Sequence, residues 1–178
     1  MLSEIETFVN WVRRRNPDAH THHDYRSDLK QFAASAGHRS PADVTFHDVD
    51  RFVTEQVARG LQPETVNRRL AAITSFYTFL ADEDEDIICP VRPYRHALVE
   101  RQRLPRPVKE EDLRRFFSAI DDSRDLAMFL LMLRCGLRIS EVAQLQLADL
   151  YLDEAPPRIV AHGKGSRERS AYLSHQAD

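Results

Sequence analysis

Cysteine is scarce: Cys89 and Cys135 are the only two among 178 residues. They lie 46 positions apart, in no metal-like or redox-like spacing, which argues against a disulfide framework and for a reducing compartment. Both are read as packing residues. Long apolar runs are also missing. The longest, Leu126–Leu133, falls well short of the roughly 18 to 20 residues of a membrane span, and "MLSEIETFVNWVRRR" has no basic region ahead of its apolar residues. The expectation is a cytoplasmic protein with no membrane partner. A basic excess, the usual footprint of nucleic-acid binding, is absent as well, since the net charge is −3.

That charge is unevenly spread. Five negative charges sit in Asp82–Asp86, which leaves the rest of the chain at +2, and Arg92–Lys109 carries six cations against Glu100 alone. Such a segment can neutralise phosphates, and a solvated linker has the same composition. With 42% hydrophobic residues the chain can bury a real core, as one domain or two small ones. No internal repeat is visible.

The first eighty residues read as four amphipathic helices. Leu2, Ile5, Phe8, Val9 and Val12 share one face, and Tyr25, Leu29, Phe32 and Ala33 share the next. Thr45 with Asp48 three later forms a capping box for the third helix, with Val49, Phe52, Val53 and Val57 apolar and Gly60 as its stop. Pro63 opens the fourth, whose face is Val66, Leu70, Ile73, Phe76, Tyr77 and Leu80. Arg68 lies opposite that face and is expected in solvent, with Asn67 and Arg69 beside it. From about Ile87 to Pro107 no period persists and prolines recur, so residues 87–107 are read as a basic linker between domains 1–86 and 108–178.

Beyond it, Leu113, Phe116, Phe117 and Ile120 mark one helix. "SRDLAMFLLMLRCG" marks a second, apolar nearly all round as a buried helix would be, with Ser123 as N-cap and Gly136 as stop. Ser140 is expected to cap a third, from Glu141 to about Leu150. "RIVAHGKGSRERSAYLS" reads as a β-hairpin with Lys164 near its tip.

Arg138 stands at the junction of two of these helices. Read from the residues alone, two roles fit it: an ion pair with Glu141 that closes the junction, or a guanidinium fork aimed at a phosphate. Lys164 in a glycine-flanked turn is weak evidence by itself, and the P-loop pattern is absent. His20, His22 and His23 lack carboxylate or thiolate partners at ligand spacing, so neither metal nor cofactor is expected.

Two motifs in order, "CGLRISEVAQLQLADL" and "HGKGSRERSAYL", resemble the first arginine motif and the lysine hairpin of the tyrosine recombinases, or phage integrases, particularly their Xer-like branch. "HTHHDYRSDLKQF" and "TVNRRLAAITSFYTFL" resemble the second and fourth helices of that family's core-binding domain. The resemblance covers essentially the whole chain. It implies a mainly α protein: a four-helix, SAM-like core-binding bundle, then the N-terminal part of an α+β catalytic domain with a β-hairpin. It further implies double-stranded DNA as partner, Arg138 on the scissile phosphate, Glu141 bracing it and Lys164 as general acid. Thr21, Tyr25, Arg26, Asn67, Arg68 and Arg69 match positions that face DNA.

After the hairpin, members of the family continue with a His-x-x-Arg pair and a late nucleophilic tyrosine, which these residues do not include. Tyr151 and Tyr172 are the tyrosines nearest the motifs, and Tyr172 is expected to pack rather than attack. The expectation is therefore a truncated, catalytically incomplete recombinase with its hydrophobic helix Leu126–Leu133 left exposed. The alternatives are a non-enzymatic regulator or a partner subunit of an intact recombinase, self-association, and catalysis completed by Tyr172 or a second chain.

Overall fold

The computed structural model describes residues 1–17, 19–101, 104–163 and 167–173, with Arg167 described by its backbone alone. The chain divides into two compact units, Met1–Arg103 and Leu104–Asp178.

The first unit is helical: α1 (Leu2–Arg15), α2 (Thr21–Ser35), α3 (Phe46–Ala58), α4 (Pro63–Ala81) and the short α5 (Pro93–His96). Its core follows from the 3.6-residue periodicity. Ile5, Phe8 and Val9 of α1, Leu29, Phe32 and Ala33 of α2, Val49 and Phe52 of α3, and Leu70, Ile73, Phe76 and Tyr77 of α4 form one buried cluster. Leu2 and Val57, near the ends of their stripes, stay largely exposed. The Tyr77 hydroxyl donates to the Pro41 carbonyl at 3.0 Å, so the one polar atom of that ring is satisfied inside the core. The expected capping box is present, with the Thr45 amide and hydroxyl each donating to Asp48 at 2.9 Å. Gly60 ends α3 with φ +77°, a conformation a side chain would strain.

The stretch read as a linker is in good part packed on this bundle. Ile87, Cys89 and Val91 pack against the core, and α5 folds back on α3. There Arg95 clasps Asp50 through three bonds of 2.6–2.9 Å, and Arg92 lies over the Phe46 ring. His96 is buried, with Nδ1 accepting from the Arg92 amide at 2.9 Å and Nε2 3.2 Å from Asp50. Long-range partners, which periodicity does not register, order this segment. The division between units, after Arg103, falls within the stretch 87–107 read as the linker.

The second unit holds α6 (Glu110–Ser118), α7 (Ser123–Cys135), α8 (Ile139–Ala143) and an antiparallel sheet in the order β1 (Leu150–Tyr151), β2 (Arg158–Gly163), β3 (Arg167–Tyr172). The N-cap of α7 is Asp122 rather than Ser123, its carboxylate accepting from the Arg124 and Asp125 amides at 2.8 and 3.1 Å. Gly136 ends α7 in the left-handed region, as expected. The third helix is shorter than the sequence suggests: α8 ends at Ala143, a 3₁₀ turn spans Leu147–Asp149, and Leu150 already belongs to the sheet.

Strand alternation sorts the sheet into two faces. Ile159, Ala161 and Ala171 are buried on one. Arg158, opposite both Tyr151 and Tyr172, lies on the other, with Val160, His162, Glu168 and Ser170. None of the α7 residues, all of them described, is buried, against the expectation of a buried helix. Phe129, Leu130 and Leu133 are exposed, as the reading of an uncovered face from Leu126 to Leu133 expects.

Candidate functional site

Arg138 is built into the turn between α7 and α8 by its backbone. Leu137 anchors one side, buried with Ala161 and Ala171. Ile139 on the other side is 77% exposed, and the second anchor is the buried Glu141. The Glu141 carboxylate accepts the Arg138 amide at 2.8 Å, so Arg138 rather than Ser140 is the N-cap of α8. The cause is local: an acid at the third helical position reaches back to an otherwise unpartnered amide.

The side chains then diverge in exposure. Glu141 is only 2% exposed, whereas the Arg138 side chain is 71% exposed and places one guanidinium nitrogen 2.8 Å from Glu141 Oε1. Arg169 of β3, absent from the residues singled out in the sequence, donates from one nitrogen to both Glu141 Oε2 and the Gly136 carbonyl, each at 2.8 Å. These donors, led by the Arg138 amide and then Arg169, hold the Glu141 carboxyl down at about 2. Arg169 was legible in one respect, since period-two alternation puts it on the face of Ala171.

Lys164 lies outside the described residues. The strands that carry it are paired up to Gly163 opposite Arg167, and Arg169 sits opposite Ala161. Near the loop end of that hairpin His162 lies 2.9 Å from Asp149 and 3.3 Å from Glu168, and the Asp149 carboxylate, the larger influence, raises its pKa.

In the first unit, α2 and α4 pack on each other and carry the six residues expected to face DNA. The four charged or amide side chains among them have partners within the chain. Arg26 reaches Glu6 of α1 at 2.9 Å. Asn67 donates to the Leu98 carbonyl and to Glu100 and accepts the Leu98 amide, all within 2.8–2.9 Å, so it clamps the following segment. Arg68 is half exposed, as expected, and clasps Asp28 of α2 with two bonds of 2.6 and 3.1 Å. Arg69 is not on the open face: it is buried, bonded to Gln56 and 3.5 Å from Asp28. Asp28 is itself buried, and that burial pushes its carboxyl up despite the two arginines.

Tyr25 stacks on Phe8 with its hydroxyl 3.5 Å from Ser75. Thr21 and Tyr25 line a cleft of about 530 Å³ between α1, α2 and α4, with Trp11, Thr74 and Ser75 among its other walls. His22 is buried with Nδ1 2.7 Å from the Ala19 carbonyl, and no cluster suited to a metal ion occurs among the described residues. No described helix is long and apolar enough to cross a membrane.

Comparison with known proteins places this architecture. Residues 5–84 match the phage integrase N-terminal SAM-like domain, and residues 106–178 match the phage integrase family. The chain is 31% identical over 184 residues to tyrosine recombinase XerC of Xanthomonas campestris pv. campestris (strain B100), covering 99% of this chain and 56% of that protein. It is 30% identical to XerC of Staphylococcus haemolyticus (strain JCSC1435), covering 94% and 59%. It thus spans little more than half the length of these curated relatives.

Among solved structures, XerH recombinase bound to a palindromic difH substrate superposes with a TM-score of 0.65 at 20% identity, covering 97% of this chain and 53% of that one. A lambda integrase dimer bound to a COC′ core site gives 0.73 at 12% identity, covering 96% and 47%. At these identities the structures speak for the fold. Matches to two phage integrase domains, with 31% identity to a XerC protein along 99% of this chain, establish that the chain belongs to the phage integrase family, the tyrosine recombinases.

Proposed function

We propose that the chain binds double-stranded DNA as a relative of the site-specific recombinases, with the α2–α4 face of the first unit on the duplex and Arg138 on a backbone phosphate. The observation that carries this reading is the arrangement around Glu141. Its carboxylate holds the Arg138 backbone and has a second cation in Arg169, while the Arg138 guanidinium stands 71% exposed. A guanidinium fork fits two phosphate oxygens and stays charged at any working pH. Lys164 acts as proton donor to the leaving oxygen, and Glu141 keeps Arg138 in place. Thr21, Tyr25, Arg26 and Arg68 face the DNA, with Asn67 and Arg69 holding that face from behind.

These 178 residues bind without cutting. Tyr172 and Tyr151 sit opposite Arg158, on the sheet face away from Ala161, Ala171 and Arg169, and Arg158 stacks 4.0 Å over the Tyr151 ring. Neither hydroxyl is placed to attack a phosphate held by Arg138, which supports a nucleophile supplied from outside these residues. The test is a nicked suicide duplex that traps covalent adducts. A salt-sensitive shift without an adduct is expected, and Arg138→Ala lowers the magnitude of the slope of log K against log salt by about one. Failure to shift any duplex at low salt overturns the proposal of DNA binding.

The exposed apolar surface of α7 favours a second reading, a subunit that pairs with an intact recombinase or with itself. Ala127, Leu130, Leu131, Leu150, Ile159 and Leu173 line an open groove of about 420 Å³. Co-purification with a full-length relative checks it.

A further inference from the structure

Glu141 is buried, and a buried carboxylate stripped of its partner is costly. If Arg138 were its sole cation, moving that guanidinium onto a phosphate would strand the charge. The two guanidinium groups use different oxygens, Arg138 on Oε1 and Arg169 on Oε2. They also differ in how they are held. Among the described residues the Arg138 side chain has this one bond, and it is 71% exposed, whereas Arg169 is 41% exposed and tied at once to Glu141 and to the Gly136 carbonyl. Gly136 lies two residues before Arg138, in the same turn.

We propose that Arg169 is a positioning residue: it is the standing counter-ion of Glu141, which lets the Arg138 guanidinium leave that carboxylate for a DNA phosphate while the Arg138 backbone stays fixed. Without Arg169, Glu141 retains the Arg138 guanidinium and the phosphate loses it. The inference rests on the reading of Arg138 as a phosphate ligand and adds that the β3 arginine controls its release. It also adds a polar tie between the lysine-bearing hairpin and the arginine turn, beside the packing of Leu137 on Ala161 and Ala171.

The experiment measures the salt dependence of binding by the full 178-residue chain to a duplex it has itself selected from a random pool, with thermal melts as the control for folding. Arg138→Ala lowers the slope by about one if Arg138 neutralises a phosphate. Arg169→Gln lowers it by the same amount, the double variant R138A/R169Q lowers it no further, and E141Q/R169Q restores it, because a neutral residue 141 no longer retains Arg138. Arg169→Lys, which keeps the charge beside Glu141, leaves the slope near that of the parent.

An unchanged slope in R138A overturns the phosphate reading itself. A lowered slope in R138A with an unchanged slope in R169Q, or a slope in R169K as low as in R138A, overturns the role of Arg169. Additive losses in R138A/R169Q with no recovery in E141Q/R169Q overturn it too, and make Arg169 a direct DNA contact. If R169Q does not fold, R169K and E141Q/R169Q decide the matter.

Discussion

The two units use similar apolar sequence with opposite results. In the first, four helices bury Phe8, Phe32, Phe52, Phe76 and Tyr77 together, with almost no exposure. In the second, "LAMFLLML" is the most apolar run of the chain, yet α7 buries none of its residues, and the central cluster is Leu137, Ala161 and Ala171. Hydrophobicity says which side chains gain from burial; it does not supply the surface that covers them. The first unit supplies its own cover from α1, α2 and α4, whereas α7 presents an open face. The units are alike at their polar joints, since in Thr45–Asp48 and Arg138–Glu141 the acid at the third helical position accepts both the amide and a side-chain donor of the N-cap residue, each acid being held down at about 2.

The sharpest break between them is core truncation. Phe76→Ala, at the centre of the aromatic cluster, is expected to destabilise the first unit by about 3–5 kcal/mol, read by denaturant unfolding. A comparable loss for Leu130→Ala in α7 would erase the distinction.

A smaller effect separates the units in acid. The depressed Asp48 and Glu141 carboxyls contribute stability that is fully present above their ordinary values, 3.8 and 4.5, and is lost as pH falls towards about 2. With a large apolar core, the first unit is expected to keep its helices while its cap weakens; the second, with a small one, is expected to lose structure first. Far-UV circular dichroism of Glu141→Gln, which removes much of the second unit's acid transition, checks the assignment.

The smallest effect is on the open face. Leu133→Ser is expected to alter stability by less than about 0.5 kcal/mol while reducing self-association in sedimentation, because Leu133 is 47% exposed. A large loss of stability instead would show that α7 is covered in solution.

Local pattern made much of this legible. The Thr45–Asp48 box, Gly60, Pro63 and Gly136 act over three or four residues, and the α4 stripe repeats often enough to identify its buried face. The hairpin follows from its alternation. Where several neighbours offer a cap, pattern alone was not enough: Asp122 displaced Ser123, and Arg138 displaced Ser140 because Glu141 lies three residues on.

Residue types and their periods determined the helical bundle, the hairpin, and the two motifs that mark the family. Tertiary structure decided what the charged groups do. Arg26 meets Glu6, Arg68 and Arg69 meet Asp28, Arg95 meets Asp50, and Arg169 meets Glu141, all from separate elements. Helix and strand periods constrain neighbours within an element, but which distant cation neutralises a given carboxylate depends on how those elements pack. A buried acid such as Asp28 or Glu141 requires such a partner, and only the folded chain brings it within hydrogen-bond reach.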